Sequence, residues 1–133
     1  SDLRKLFPDA FIHFAATHRG ATLYIDRAQI EQVLINLIKN AKEACGQSTA
    51  PQIEVELEQI PGKVCSLTVR DNGEGILPEV MDKIFVPFFT TKPSGSGIGL
   101  SLCKQIMNLH GGTITVSSEI SKGSCFTLMF PGR

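Results

Sequence analysis

The chain is 133 residues long, enough for one domain whose core is closed by two packed layers. Its 13 Lys and Arg balance 13 Asp and Glu, and a zero formal charge argues against a polybasic binder of nucleic acid or membrane surfaces. At 42% hydrophobic and 20% charged residues the composition is that of a folded domain, while the apolar runs fall far short of the ~20 residues that span a bilayer. Ser1-Asp2-Leu3-Arg4-Lys5 has no apolar signal-peptide region. The missing initiator Met points to a piece of a larger protein.

In chain order, Ala10 to Ala16 (AFIHFAA) and Ala21 to Ile25 (ATLYI) read as strands separated by a turn at His18-Arg19-Gly20. Asp26 stands where a helix N-cap belongs. From Arg27 to about Cys45 the apolar residues Ile30, Val33, Leu34, Leu37, Ile38, Ala41 and Cys45 recur at three- and four-residue steps, one buried helical stripe, with Gly46 as a stop. Gln52 to Gln59 and Val64 to Arg70 alternate as neighbouring strands joined through Pro61-Gly62. Pro78 to about Ile84 reads as a short helix, Phe85 to Gly97 as a connection without periodicity, and Ile98 to Leu109 as a helix ended by Gly111-Gly112. Thr113 to Ser118 and Ser124 to Phe130 close the chain as strands with a turn at Lys122-Gly123. This order lacks the strict alternation of a doubly wound sheet and fits an α+β two-layer sandwich, one mixed sheet covered by helices. Cys45, Cys65, Cys103 and Cys125 form no CxxC pair and no zinc-spaced cluster; reduced, mostly buried thiols are expected.

Three clusters carry chemistry. Asn36 and Asn40 share one helix face on the shoulder of the apolar stripe, and Glu43 continues it one turn later. Two Asn one turn apart either form a solvated shoulder or offer carbonyl oxygens to a hard cation such as Mg²⁺. Asp71-Asn72-Gly73-Glu74-Gly75 follows a strand. It is either an Asn-Gly hairpin turn or a carboxylate placed for an exocyclic amine, with glycines that admit close backbone approach. Gly95-Ser96-Gly97-Ile98-Gly99-Leu100 opens a helix, as a phosphate cradle or a hinge does; it matches neither a P-loop nor GxGxxG. The connection before it is long for so compact a domain and suggests a lid, with Lys92 able to reach phosphates as a point charge. Phe85, Phe88 and Phe89 read as anchors packed on the core.

Taken together, QVLINLIKNAKEA, DNGEGI, IFVPFFTTK, GSGIGLSL, LHGGTITVSS and KGSCFTLMFP, in this order from about Tyr24 to Pro131, resemble the N box, first glycine box, F box, second glycine box and closing strands of the ATP-binding catalytic domain of sensor histidine kinases, within the gyrase, heat-shock chaperone, histidine kinase and MutL ATPase superfamily. The resemblance implies a Bergerat-type ATP-binding fold, a mixed sheet packed on three helices, spanning residues 1–133 as one domain with a mobile ATP lid at about 85–97. It implies that Asp71 binds the adenine amino group, that Gly73, Gly75 and Ile76 shape that end of the pocket, and that Asn40 helps hold Mg²⁺ with Asn36 and Glu43 on the same face. Lys92 would reach the phosphates, Gly95, Gly97, Ile98, Gly99 and Leu100 would bring a helix N-terminus to them, and Ser124 stands where relatives often carry a Thr linked to the adenine site through water. Many relatives have Lys-Tyr or Lys-Phe where this chain has Glu43-Ala44, a departure at the place of an extra phosphate contact, with Lys39 and Lys42 either substitutes for it or ordinary exposed helix lysines.

The implied activity is phosphoryl transfer from ATP to a histidine, with a non-catalytic nucleotide-sensing module or a related ATPase or serine kinase as alternatives. None of His13, His18 and His110 sits in the acceptor-helix pattern of His followed by an acidic residue. The expected partners are therefore a separate dimerisation and phosphoacceptor domain N-terminal to this one and a downstream response regulator receiver domain. A cytoplasmic setting, a monomeric fragment and a homodimeric intact kinase are expected on the same basis.

Overall fold

The computed structural model describes residues 8–9, 11–16, 27–46, 49–59, 65–87 and 99–130. Their order is β1 (Ile12–Ala16), α1 (Arg27–Ala44), β2 (Ile53–Gln59), β3 (Cys65–Asp71), a single 3-10 turn (Pro78–Val80), α2 (Gly99–Leu109), β4 (Thr113–Glu119) and β5 (Gly123–Phe130). The strands form one five-stranded sheet in the order β1-β2-β3-β5-β4. β1 pairs parallel with β2; the other three pairings are antiparallel, so the sheet is mixed as expected. The expected strand over 21–25, the cap at Asp26 and the turn at Pro61-Gly62 lie outside the described residues.

Strand alternation assigns the two faces. Phe14, Val55, Val69, Phe126 and Val116 stand side by side across the five strands, and Val69 and Phe126 are 1% exposed. The opposite face carries Glu54, Arg70 and Cys125 in one cross-strand row. Directly paired residues point to the same side of a sheet, so one face is apolar and covered while the other is polar. The cover is the stripe read from the sequence: Ile30, Val33, Leu34, Leu37, Ile38 and Ala41 of α1 are all buried, joined by Cys103, Ile106 and Met107 of α2. Cys45, Cys65 and Cys103 are buried free thiols and Cys125 is half-buried.

The helix expected over 78–84 is shorter than its sequence implied. Only Pro78–Val80 is helical, as a 3-10 turn with no buried residue. The following amides bond three residues back, Lys83 N–H to Val80 C=O at 2.9 Å and Val86 N–H to Lys83 C=O at 3.0 Å. Without an apolar stripe to bury, nothing favours lengthening this turn into an α-helix. Among the described residues, α1 and α2 are the α-helices that cover the sheet. Phe85 acts as the expected anchor: its ring meets Phe126 edge-on at 6.4 Å between centroids, and Lys104 of α2 lies over it at 5.5 Å. Phe88 and Phe89 lie outside the described residues.

Candidate functional site

The covered face of the sheet changes character at one end. Its last row reads Ile12, Ile53, Asp71, Ser124, Ser118 across the five strands. Ile12 and Ile53 are core residues, yet the next three positions are polar. Asp71 is only 5% exposed and Ser124 only 6%, the two buried polar side chains among the described residues. A buried carboxylate is costly unless hydrogen-bonded, and Asp71 Oδ1 accepts the Gly73 N–H at 2.8 Å. A carboxylate has about four acceptor sites, so it can take a ligand N–H as well.

Asp71-Asn72-Gly73 is not a hairpin turn, because β3 pairs with β2 and β5 and the chain leaves it toward the 3-10 turn. The loop docks instead on the C-terminus of α1. Glu74 N–H bonds the Ala44 carbonyl at 3.2 Å, which satisfies one of the orphan acceptors at a helix end. A side chain at Gly73 would put its Cβ 2.5 Å from that same carbonyl oxygen, so only glycine admits the approach. Gly75 adopts φ +79°. Ser121 N–H donates to Glu74 C=O at 2.9 Å, and Ile76 N–H donates to Ser118 Oγ at 2.8 Å. The loop is thus clamped between α1 and the β4–β5 turn, and Ile76 packs half-buried against the core.

Asn36 and Asn40 are half-buried on α1, and Glu43 is exposed. Asn36 Oδ1 accepts from Gln32 Nε2 at 3.1 Å, and Asn36 Nδ2 makes a long 3.5 Å contact to the Gly99 carbonyl at the start of α2. From Ala44, which holds the Asp71 loop, back to Asn36 is two turns of helix, about 12 Å along its axis. The helix therefore runs from the Asp71 end to the N-terminus of α2, a span suited to an extended ligand. Gly99 and Leu100 are the first two residues of α2 and half-buried. Lys92, Gly95, Gly97 and Ile98, and the connection from 88 onward, lie outside the described residues.

The thiols below the site are held protonated. Burial, then the negative charge of Asp71, pushes the Cys45 thiol up, and it donates to Asn72 Oδ1 at 3.5 Å. Burial lifts Cys103 to about 11, and its thiol contacts the Val33 carbonyl at 3.8 Å. No group of three or more His, Cys, Asp or Glu among the described residues has a metal-binding arrangement. Asn40 would offer a hard amide oxygen, which fits Mg²⁺, a cation that usually takes few protein ligands and completes its shell with phosphate oxygens and water.

Ser118 escaped the sequence reading, and Asn72 was read only as a member of the Asp71–Gly75 loop, not for its own contacts. Ser118 has a signal in hindsight, since the alternation of TITVSSE puts it on the apolar side with Ile114 and Val116. Asn72 has none: its Oδ1 accepts the Gln52 N–H at 2.8 Å and its Nδ2 donates to the Ala50 carbonyl at 2.9 Å, contacts that only the fold brings together.

Comparison with known proteins fits this arrangement. Residues 25–133 match the family described as histidine kinase-, DNA gyrase B- and HSP90-like ATPase. The C4-dicarboxylate transport sensor protein DctB of Rhizobium meliloti is 47% identical over 103 residues, 77% of this chain and 16% of DctB. The sensor histidine kinase ZraS of Escherichia coli is 38% identical over 120 residues, 90% of this chain and 25% of ZraS. The chain thus spans a quarter or less of these relatives. Among solved structures, the catalytic domain of histidine kinase ThkA superposes with a TM-score of 0.84 at 33% identity, covering 98% of this chain and 88% of that one. ThkA in complex with the response regulator TrrA gives 0.80 at 31% identity, covering 99% of this chain and 39% of that one. A buried carboxylate on a glycine-shaped loop, a helix with paired Asn and a matched family span agree: the chain belongs to the histidine kinase-, DNA gyrase B- and HSP90-like ATPase family.

Proposed function

We propose that this domain binds Mg-ATP at the polar end of the sheet and, in its whole protein, supplies the γ-phosphate to a histidine on a separate dimerisation and phosphoacceptor domain. The observation that carries the reading is the buried Asp71 carboxylate, held by the Gly73 N–H where the covered face of the sheet turns from apolar to polar. It accepts the 6-amino group of adenine. Gly73, Gly75 and Ile76 form the wall against the base, with Ser124 beside Asp71. Asn36, Asn40 and Glu43 line the path to the phosphates, and Asn40 contributes a ligand to Mg²⁺. Lys92, Gly95, Gly97, Ile98, Gly99 and Leu100 meet the phosphates, the glycines exposing backbone N–H groups where the helix dipole favours anions.

The transfer breaks the bond between the γ-phosphorus and the β,γ-bridging oxygen and forms a bond to an imidazole nitrogen, leaving ADP. The residues of this chain position the nucleotide and donate to phosphate oxygens, which is most of what phosphoryl transfer asks of a protein. Bound Mg²⁺ supplies charge neutralisation on the phosphates. The nucleophile comes from another domain on this reading. His13 is paired opposite Glu54, on the sheet face away from Asp71, and the ring of His110 lies 2.8 Å from the Ile106 carbonyl through Nδ1. The receiver domain of a response regulator is the proposed next acceptor, as the ThkA–TrrA complex illustrates for ThkA.

Thermal unfolding with Mg-ADP, Mg-ATP and Mg-GTP, on the native chain and Asp71→Asn, tests the binding. Nucleotide at 100 times its dissociation constant adds about 2.7 kcal/mol. Adenine-selective stabilisation that disappears in a folded Asp71→Asn variant is the expected result, and no shift at millimolar nucleotide overturns it. Acid-labile phosphate on an added acceptor domain, with none on the chain alone, is the expected transfer result.

A further inference from the structure

The Ser118 hydroxyl is the meeting point of three groups. The Ile76 N–H donates to its oxygen at 2.8 Å, the Gly123 carbonyl oxygen lies 3.0 Å away, and the Ser124 hydroxyl also lies 3.0 Å away. A serine hydroxyl has one proton and two lone pairs. The Gly123 carbonyl can only accept, so that contact takes the one proton of Ser118. The Ile76 amide fills one lone pair. The remaining lone pair faces Ser124, and Ser124 must be the donor. Its single proton is therefore directed at Ser118, and its own oxygen is left to accept. Asp71 is the direct cross-strand partner of Ser124 on the same face, and it too is an acceptor.

We propose that Ser118 is a positioning residue for base selection: by fixing the direction of the Ser124 proton it sets two acceptors, Asp71 and Ser124, side by side against the base. Such a pair suits a purine bearing a 6-amino group, directly or through water, and opposes a 6-oxo group, whose oxygen would face acceptors only. The inference rests on the reading of the Asp71 end as the base site. If Ser118 loses its hydroxyl, Ser124 regains rotational freedom and can donate to a 6-oxo purine.

The test is calorimetric titration of the whole 133-residue chain with Mg-ADP and Mg-IDP; in the latter a 6-oxo group replaces the 6-amino group and N1 carries a proton. Four forms are needed: native, Ser118→Ala, Ser124→Ala and the double variant. Ser118→Ala should lower the ADP-to-IDP preference about three- to tenfold, the range of one net hydrogen bond, and Ser118→Thr should restore it. In the Ser124→Ala background, Ser118→Ala should change the preference less than twofold, because the effect travels through Ser124. An equal loss of preference in both backgrounds, or equal weakening of both nucleotides by Ser118→Ala, overturns the proposal. Ser118→Cys takes the place of Ser118→Ala in the cycle if the loss of two backbone partners prevents folding. Asp71→Asn separates the two levels. If it leaves ADP preference intact the base-site reading fails, whereas loss with Asp71→Asn and no coupling between Ser118 and Ser124 sinks the Ser118 role alone.

Discussion

Two adjacent rows on one face of the same sheet have opposite chemistry. Phe14, Val55, Val69, Phe126 and Val116 form an apolar row; two residues along each strand, Ile12 and Ile53 give way to Asp71, Ser124 and Ser118. Both rows face the helical layer, so burial alone does not distinguish them. The apolar row is stabilised by the area it removes from water. The polar segment must instead find a hydrogen-bond partner for each buried group, and it does so through backbone that approaches unusually closely. Stability is thus concentrated in the side chains of one row and in the backbone of the next.

That contrast is most severe at Gly123. It adopts φ +121°, and a Cβ there would collide with the Asp71 carbonyl oxygen. Gly123→Ala should cost more than about 5 kcal/mol and yield little folded protein, read by circular dichroism of the purified chain. A folded, native-like variant would break the contrast, since the polar end would then tolerate loose backbone packing. Phe126→Ala removes a ring that is 1% exposed and edge-on to Phe85. Chemical denaturation should show a loss of about 3–5 kcal/mol, with nucleotide affinity of the remaining folded molecules within about twofold of native.

Cys103 provides a pH test of the apolar layer. Its folded value is raised to about 11 from a reference of 9.0. A thiol raised on folding contributes its full stability below the unfolded value and loses it as pH climbs toward the folded one. The chain should therefore weaken progressively between pH 9 and about 11, and Cys103→Ala should flatten that part of the denaturation profile. Asn72→Ala removes the clamp on Gln52 and Ala50; with these bonds exposed, about 1 kcal/mol is expected from denaturant midpoints. At the small end, Lys122→Ala breaks the exposed 3.1 Å pair with Glu119, and the midpoint should move by less than about 0.5 kcal/mol.

The apolar layer was legible because its periodicities are long and regular. The stripe of α1 and the alternation of β2, β3 and β5 need only the repeat lengths of helix and strand to be read. The short helix after Gly75 was misjudged for the converse reason: a Pro start and a few apolar residues look helical, yet the turn Pro78–Val80 buries no residue. At the site, Asp71 was visible as a carboxylate on a glycine-rich loop. Ser118 was overlooked because its significance lies 42 residues away at the Ile76 amide, a separation no local pattern records.

By itself, then, the sequence determined the long helices and the regular strands among the described residues, the buried stripe, the order of the motifs and the family, because periodicity and motif spacing are properties of the chain in one dimension. Only the tertiary structure decided which strands became neighbours, that the covered face turns polar at one end, that the Asp71 loop closes on the carbonyl of Ala44, and which way a shared proton points between Ser118 and Ser124. Those outcomes depend on hydrogen-bond directions and on contacts between atoms distant in sequence, where a single proton, a single lone pair or the absence of one Cβ settles the arrangement.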